Sequence, residues 1–247
     1  MQDERARREL LITVVAGLLD GIRHVAVGAS SPIPAAGAML LRARNEQQGK
    51  PPVRISILGS SRHNFFTNGG VELFDCAAQG RVDAFFLGGG QIDGAGNINL
   101  VGTGEYPRMD VRWPGSFGSA YLYHLVPRVI LFREEHSPRV LVPKVDFVSA
   151  AATTPEVKRR GGPHALLTNL ALFDFDRVRG GFSLRSVHPG YAAEDVRART
   201  GFDYQVPESV PATAAPDRAT VELIRGRILD ELAECYPEFA RSMAEAA

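Results

Sequence analysis

Residues 83–119 read DAFFLGGGQIDGAGNINLVGTGEYPRMDVRWPGSFGS, and this stretch decides how the rest of the chain is read. An apolar run from Val82 to Leu87 leads straight into Gly88, Gly89 and Gly90, and nine glycines fall between Gly88 and Gly118. Polar side chains are set among them: Gln91, Asp93, Asn97, Asn99, Thr103, Glu105 and Ser116. Glycine admits positive φ and lets a ligand come close to peptide N–H groups. A strand that ends in such a loop is where an α/β sheet usually presents its ligand. The run is therefore expected to hold a substrate against main-chain donors. The structural alternative is a plain turn followed by a β-hairpin.

Outward from this stretch, strands and helices alternate. At the start, Arg5, Arg7 and Arg8 precede the apolar run LLITVVAGLL, which mimics a leader peptide. Acids at Asp3, Glu4 and Glu9, one helical stripe of Leu10, Leu11, Val14, Val15 and Leu18, and a stop at Asp20-Gly21 favour an amphipathic helix instead. RHVAVGASS (23–31) reads as strand and loop, 35–44 as helix, RISIL (54–58) as strand, 72–79 as a short helix stopped by Gly80, and VDAFFL as the third strand. Near-continuous apolar strands separated by helices predict an open, mainly parallel α/β sheet with helices on both faces.

Downstream, 119–125 is read as a helix, and RVILF (128–132) and RVLV (139–142) flank the polar turn REEHSP. LLTNLALFDFD (166–176) and GFSLRSV (181–187) read as antiparallel strands, 192–199 as a helix, and the proline-rich 206–216 as a linker. Residues 217–236 read as a terminal helix with Val221, Ile224, Ile228 and Leu232 on one stripe. The expectation is a single domain over 1–247, with a core of about 21–150 and a C-terminal antiparallel and helical part of about 151–247.

Composition narrows the function classes. Of 247 residues 45% are hydrophobic and 23% charged, and 28 basic residues balance 28 acidic ones. No basic excess argues for a nucleic-acid partner, and no apolar stretch approaches the roughly 20 residues of a membrane span. Cys76 and Cys235 lie far apart, outside any CxxC or Cys/His cluster, and His124, His136, His164 and His188 show no ligand spacing, so no metal site is expected. Two free thiols suit a reducing cytoplasm.

The order of the motifs carries a resemblance. GGGQID, GAGNIN, GTGEYP and WPGSFGSA, followed by SPRVLVPKVDFVSA (137–150), LLTNLALFDFD and HPGYAAEDVRARTGFD (188–203), resemble β subunits of the class I CoA-transferases, of the glutaconate CoA-transferase type, and the related β subunits of CoA-ester ring-opening hydrolases. The resemblance runs from about residue 21 to about residue 228. It implies an acyl-CoA thioester as substrate, no bound cofactor, and a separately encoded α subunit in a hetero-oligomer.

The same resemblance implies a glutamate at the end of the second strand that attacks the thioester carbonyl and passes through covalent acyl intermediates. In this chain that place falls on Leu58, Gly59 or Ser60, and none is acidic; the nearest carboxylates are Glu46, Glu72 and Asp75. Ser60 is the candidate nucleophile there, with His63 a conceivable base, although GSS is not a nucleophile elbow. Two readings stay open: CoA transfer, with another acid in the glutamate's role, or the hydrolase branch, whose glutamate lies on the α subunit. A non-catalytic subunit that only completes a CoA pocket is a third.

Gly88, Gly89 and Gly90 would offer N–H groups to a thioester oxyanion, and Gln91 would either donate to it or brace the loop. Asp93 and Asn97 have turn chemistry, and Asn99 would face the ligand or the next strand. Gly115 and Ser116 form the second glycine turn. Glu105 is the candidate base if burial raises its pKa, against a structural pairing with Arg108 or Arg112. Lys144 and Asp146 would pair across one strand face.

Overall fold

The computed structural model describes residues 2–67, 70–154 and 156–245. The chain forms two compact units. One contains the residues up to Cys76, Arg81–Phe86 and those from Ala214 onward; the other contains Ala77–Gly80 and Leu87–Thr213.

In the first unit, helix α1 (Gln2–Leu18) buries Leu10, Leu11, Ile12, Val15 and Leu18, and Gly21 ends it with φ +76°. The stripe predicted from the sequence is turned slightly: Ile12 is fully buried and Val14 only half-buried. Helix α2 (Pro32–Gln47), with proline in its first turn, packs closely on α1. A Cβ on Gly37 would overlap Val15, so only glycine permits this approach. Strands β1 (His24–Val27), β2 (Arg54–Ile57) and β3 (Ala84–Leu87) are parallel, with β1 in the middle and buried throughout. Burial on both sides is why these strands are apolar runs rather than alternating ones. Helix α3 (Gly70–Ala78) is the connection between β2 and β3, and Gly80 stops it with φ +71°.

The second unit begins with two short hairpins. β4 (Gln91–Ile92) pairs with β5 (Ile98–Asn99), and β6 (Gly102–Thr103) with β7 (Val111–Arg112). After helix α4 (Ser119–Leu125), strand β8 (Arg128–Phe132) runs parallel to β9 (Pro163–Leu167), and β9, β10 (Ala171–Asp176) and β11 (Gly181–Val187) follow as an antiparallel meander. Phe173, Phe175, Phe182, Phe202 and Tyr204 interlock beneath it, with Phe173 and Tyr204 edge to face at 5.1 Å. Helix α5 (Ala193–Arg199) starts where the Asp195 carboxylate accepts the Ala192 amide.

The architecture is the expected mainly parallel α/β sheet with an antiparallel C-terminal part. Two local readings are corrected. RVLV forms no strand: the amides of Val140 and Leu141 turn back to Ser137 O, and Leu141 makes a single bridge to Ile92. The proline-rich 206–216 is not a free linker, because Thr213 N donates to Val187 O and Val187 N to Pro211 O along the edge of β11.

The terminal helix, expected over 217–236, runs from Arg218 to Leu232 and stops short of Tyr236. It comprises α6 (Arg218–Leu223), capped by Asp217, a π-helical turn (Ile224–Ile228) and α7 (Leu229–Leu232); α8 (Pro237–Glu245) then starts anew. Pro237 disfavours helical geometry at Tyr236, so the chain must turn between Ala233 and Tyr236. The expected stripe survives, since Ile224, Ile228 and Leu232 are fully buried. In the same unit the buried Glu9 accepts from Arg5 at 3.1 Å and from Arg225 at 2.7 Å, tying α1 to the π turn. No helix among the described residues is long and apolar enough to cross a membrane.

Candidate functional site

The carboxyl ends of parallel strands are the usual ligand side of an open α/β sheet. In the first unit, the chain leaves β2 through a tight turn: Ile57 N donates to His63 O and Ser60 N to Ile57 O. The buried Ser60 closes this turn, its Oγ accepting from the amides of His63 at 2.9 Å and Arg62 at 3.2 Å. Its own proton goes to Glu234 Oε2 at 2.6 Å. The other oxygen of Glu234 accepts from Ser61 N and Ser61 Oγ, both at 2.7 Å. A carboxylate absent from the local sequence is thus delivered to the end of β2 by the turn before Pro237.

Its surroundings are polar. Glu231 pairs with Arg42, and His63 Nε2 stands 2.9 Å from Glu231 Oε1, close enough for an ion pair but not aligned for a hydrogen bond. Tyr236 Oη donates to Gly28 O just beyond β1, so the same turn spans the ends of two parallel strands. Partial burial works against the charged form of Glu234. The Ser60 and Ser61 hydroxyls, the Ser61 amide and the nearby His63 outweigh it and hold the carboxyl at about 2. Burial, with Glu234 alongside, pushes the half-buried Cys235 thiol up to about 11, and burial pushes the Tyr236 phenol up to about 12.

Ser60 and His63 are therefore neighbours through the backbone of one turn. The hydroxyl faces Glu234, not the imidazole. Sequence reasoning missed Glu234 because 174 residues separate it from Ser60. The one local signal was the proline that breaks the helix after it.

In the second unit, the glycine run folds as the two hairpins named above. Gly90 N donates to Asn99 O, and the Trp113 indole lies against Gly90 so closely that any Cβ there would overlap the ring. Gln91 and Asn99 are buried and bonded to each other: Gln91 Oε1 accepts from Asn99 Nδ2 at 2.8 Å and from Asp146 N at 2.9 Å. Asn99 also donates to Gly102 O and accepts from Val101 N.

Asp93 takes the amides of Ala95 and Asn97, and Asn97 bonds Asp93 and the Ala152 amide. Gln91, Asn97 and Asn99 thus brace backbone. Asn97 also borders an open cleft of about 550 Å³, together with Lys144 and Arg197. Gly115 donates to Leu100 O with φ +106°, and Ser116 O accepts from Ser119 N at the start of α4. Gly88 lies close to Phe132 O, and a Cβ on Gly89 would crowd Gln91 O.

Glu105 sits exposed on the β6–β7 hairpin, and among the described residues neither Arg108 nor Arg112 pairs with it. Asp146 accepts from Gly104 N at 2.9 Å rather than forming the expected bridge to Lys144. Phe117, which the sequence reading passed over, lies in the segment between β7 and α4. It has φ +45° and is 81% exposed. A left-handed conformation at a bulky residue costs about 1–3 kcal/mol, and such strain clusters at functional loops. No group of His, Cys, Asp and Glu able to hold a metal occurs among the described residues.

The fold matches the solved structure of the decarboxylase AibA/AibB with a TM-score of 0.75 and 26% identity, over 92% of this chain and 98% of that one. The family model described as Coenzyme A transferase matches residues 56–199, more than half of the chain and including both the end of β2 and the hairpins. The chain belongs to the Coenzyme A transferase family.

Among curated relatives, the B-type subunit of 3-oxoadipate CoA-transferase from Pseudomonas knackmussii is 31% identical, with 59% of this chain and 58% of that one aligned. The B-type subunit of glutaconate CoA-transferase from Acidaminococcus fermentans is also 31% identical, over 58% and 56%. The cholesterol ring-cleaving hydrolase IpdB subunit of Rhodococcus jostii is 30% identical, over 64% of each. The chain thus spans little more than half to just under two thirds of the length of these relatives.

Proposed function

We propose that this chain is the β-type subunit of an enzyme that acts on an acyl-CoA thioester together with a separately encoded α subunit, moving CoA to a carboxylic acid. The observation that carries this reading is the family match, which includes both the turn after β2 and the glycine hairpins. The names of the relatives support it, since two are B-type subunits of CoA-transferases. The exposed, strained Phe117 and the exposed Tyr106 and Val111 on the adjoining hairpin supply the apolar surface a partner would cover.

A second reading rests on a specific observation. Leu58, Gly59 and Ser60 bring no carboxylate of their own to the end of β2, and a ring-cleaving hydrolase subunit is among the relatives. In that reading water, not a carboxylic acid, takes part. The test is the chain co-expressed with its α subunit, given a panel of acyl-CoA esters in ¹⁸O-water with and without an acceptor acid. New acyl-CoA that forms only with acceptor establishes transfer. Label in a free-acid or ring-opened product without acceptor establishes hydrolysis. Full turnover by the single chain would refute the two-subunit reading.

A further inference from the structure

We propose that Glu234 is the nucleophilic carboxylate of the transfer reaction; this rests on the transfer reading above. Moving CoA between two carboxylic acids without losing the thioester to water calls for a covalent carrier, and a carboxylate suits the task because its acyl derivatives stay reactive. The carrier belongs at the carboxyl ends of the parallel strands. Three candidates compete, and geometry separates them.

Ser60 is a poor nucleophile. Its oxygen already accepts two amides and its proton is directed to Glu234. Glu234, held low by its donors, is too weak a base to remove that proton. Glu105 is exposed on a hairpin and has no donors orienting it among the described residues. Glu234 lies just past β2, where the expected acid is missing. It is half-buried, so a substrate can reach it, and three donors from Ser60 and Ser61 fix its plane. Oε2 accepts only from Ser60 Oγ among the described bonds and keeps a lone pair for attack.

The step balances without any further reagent. The Oε2 lone pair forms a bond to the thioester carbonyl carbon, the C–S bond breaks, and CoA leaves as thiolate. The result is a mixed anhydride between Glu234 and the acyl group. The thiolate then attacks the Glu234 carbonyl carbon, releasing the first acid as carboxylate and leaving a glutamyl-CoA thioester. The acceptor carboxylate attacks that thioester carbon and displaces the thiolate, forming a second anhydride. The thiolate then attacks the acceptor's acyl carbon, which yields the new acyl-CoA and frees Glu234. The serine donors that hold the carboxylate also stabilise it each time it departs.

The test uses the α/β complex with succinyl-CoA, glutaconyl-CoA and 3-oxoadipyl-CoA as probes. Borohydride added during turnover reduces a glutamyl thioester to an alcohol, so the trapped residue loses one oxygen and gains two hydrogens. The reduced residue is located by peptide mass spectrometry. The expected result is modification of Glu234 in the wild-type complex. The E234Q complex, which keeps an acceptor for the Ser61 amide, should lose at least about a thousandfold in turnover and the modification with it. The E208Q complex, altered at an exposed carboxylate outside the site, should keep both.

Modification at another residue, or E234Q turnover within tenfold of wild type, overturns the assignment while leaving transfer standing. Absence of CoA transfer with every probe, with or without hydrolysis, overturns the transfer reading and the assignment with it. Because the modified peptide is read in the wild-type complex, the result does not depend on how well E234Q folds.

Discussion

The two polar regions of this molecule are built in opposite ways. At the glycine hairpins, Gln91, Asp93, Asn97 and Asn99 find their partners within the same hairpins or in the segment around Val145, Asp146 and Ala152, and they lie mostly out of water. At the end of β2, Ser60 and Ser61 find theirs across nearly the whole chain, on the half-buried Glu234. A local, buried network mainly shapes backbone. A remote carboxylate brought to the end of β2 joins segments far apart in the chain and stays half-buried. The contrast teaches that polar side chains clustered along the sequence can brace one another, whereas a strand end can be completed by a residue with no local signature.

Acid offers the largest effect with which to challenge this picture. In the hairpin-bearing unit, His136 sits between Thr168 Oγ1 and Thr200 Oγ1, and His188 between Thr213 Oγ1 and Thr168 O. Burial pushes both rings down to about 4, helped at His136 by the Arg199 charge. A ring whose folded pKa lies below its unfolded 6.5 stabilises the fold fully above pH 6.5. That stability is lost as pH falls through 4, because the unfolded chain binds the proton first. The loss should reach about 3 kcal/mol per ring. Urea unfolding at pH 7, 5.5 and 4 measures it, and a flat stability across that range contradicts the buried neutral rings.

Asn99→Ala comes next. It strips partners from Gln91, the Val101 amide and the Gly102 carbonyl inside the protein. A loss of about 2–4 kcal/mol is expected, read as a lower urea midpoint. If Asn99 contacts substrate rather than scaffold, stability will hold and only the KM for acyl-CoA will rise.

Gly90→Ala should cost about 1–3 kcal/mol, because the new methyl displaces Trp113. A wild-type melting curve for this variant would mean that the indole is free to swing away. At the smallest end, Glu105→Gln should change stability by less than about 0.5 kcal/mol, as expected for an exposed side chain. A clear rise or fall in its melting temperature would show that this hairpin carries more than the geometry indicates.

Much of the fold was legible. Apolar runs at 24–27, 54–57 and 84–87, separated by helical stripes, read as parallel strands because strands buried on both faces need no polar alternation. Gly21 and Gly80 marked helix ends because a left-handed residue closes a helix there. RVLV failed because the Ser137-Pro138 turn took its amides first. The terminal helix held from Arg218 to Leu232 and stopped four residues short of Tyr236, where Pro237 disfavours helical geometry in the preceding residue.

The sequence by itself determined the alternation of elements, the hairpin chemistry of Asp93 and Asn97, and the motif order that marks the family, because each depends on neighbours within a few residues. It also showed what was missing, a carboxylate at the end of the second strand. Only the tertiary structure decided that Ser60 gives its proton to Glu234, that Glu105 is left in water, and that Gln91 and Asn99 spend their hydrogen bonds on each other. Those outcomes depend on which distant segments a packed chain brings within hydrogen-bond reach, and no local pattern encodes a partner 174 residues away.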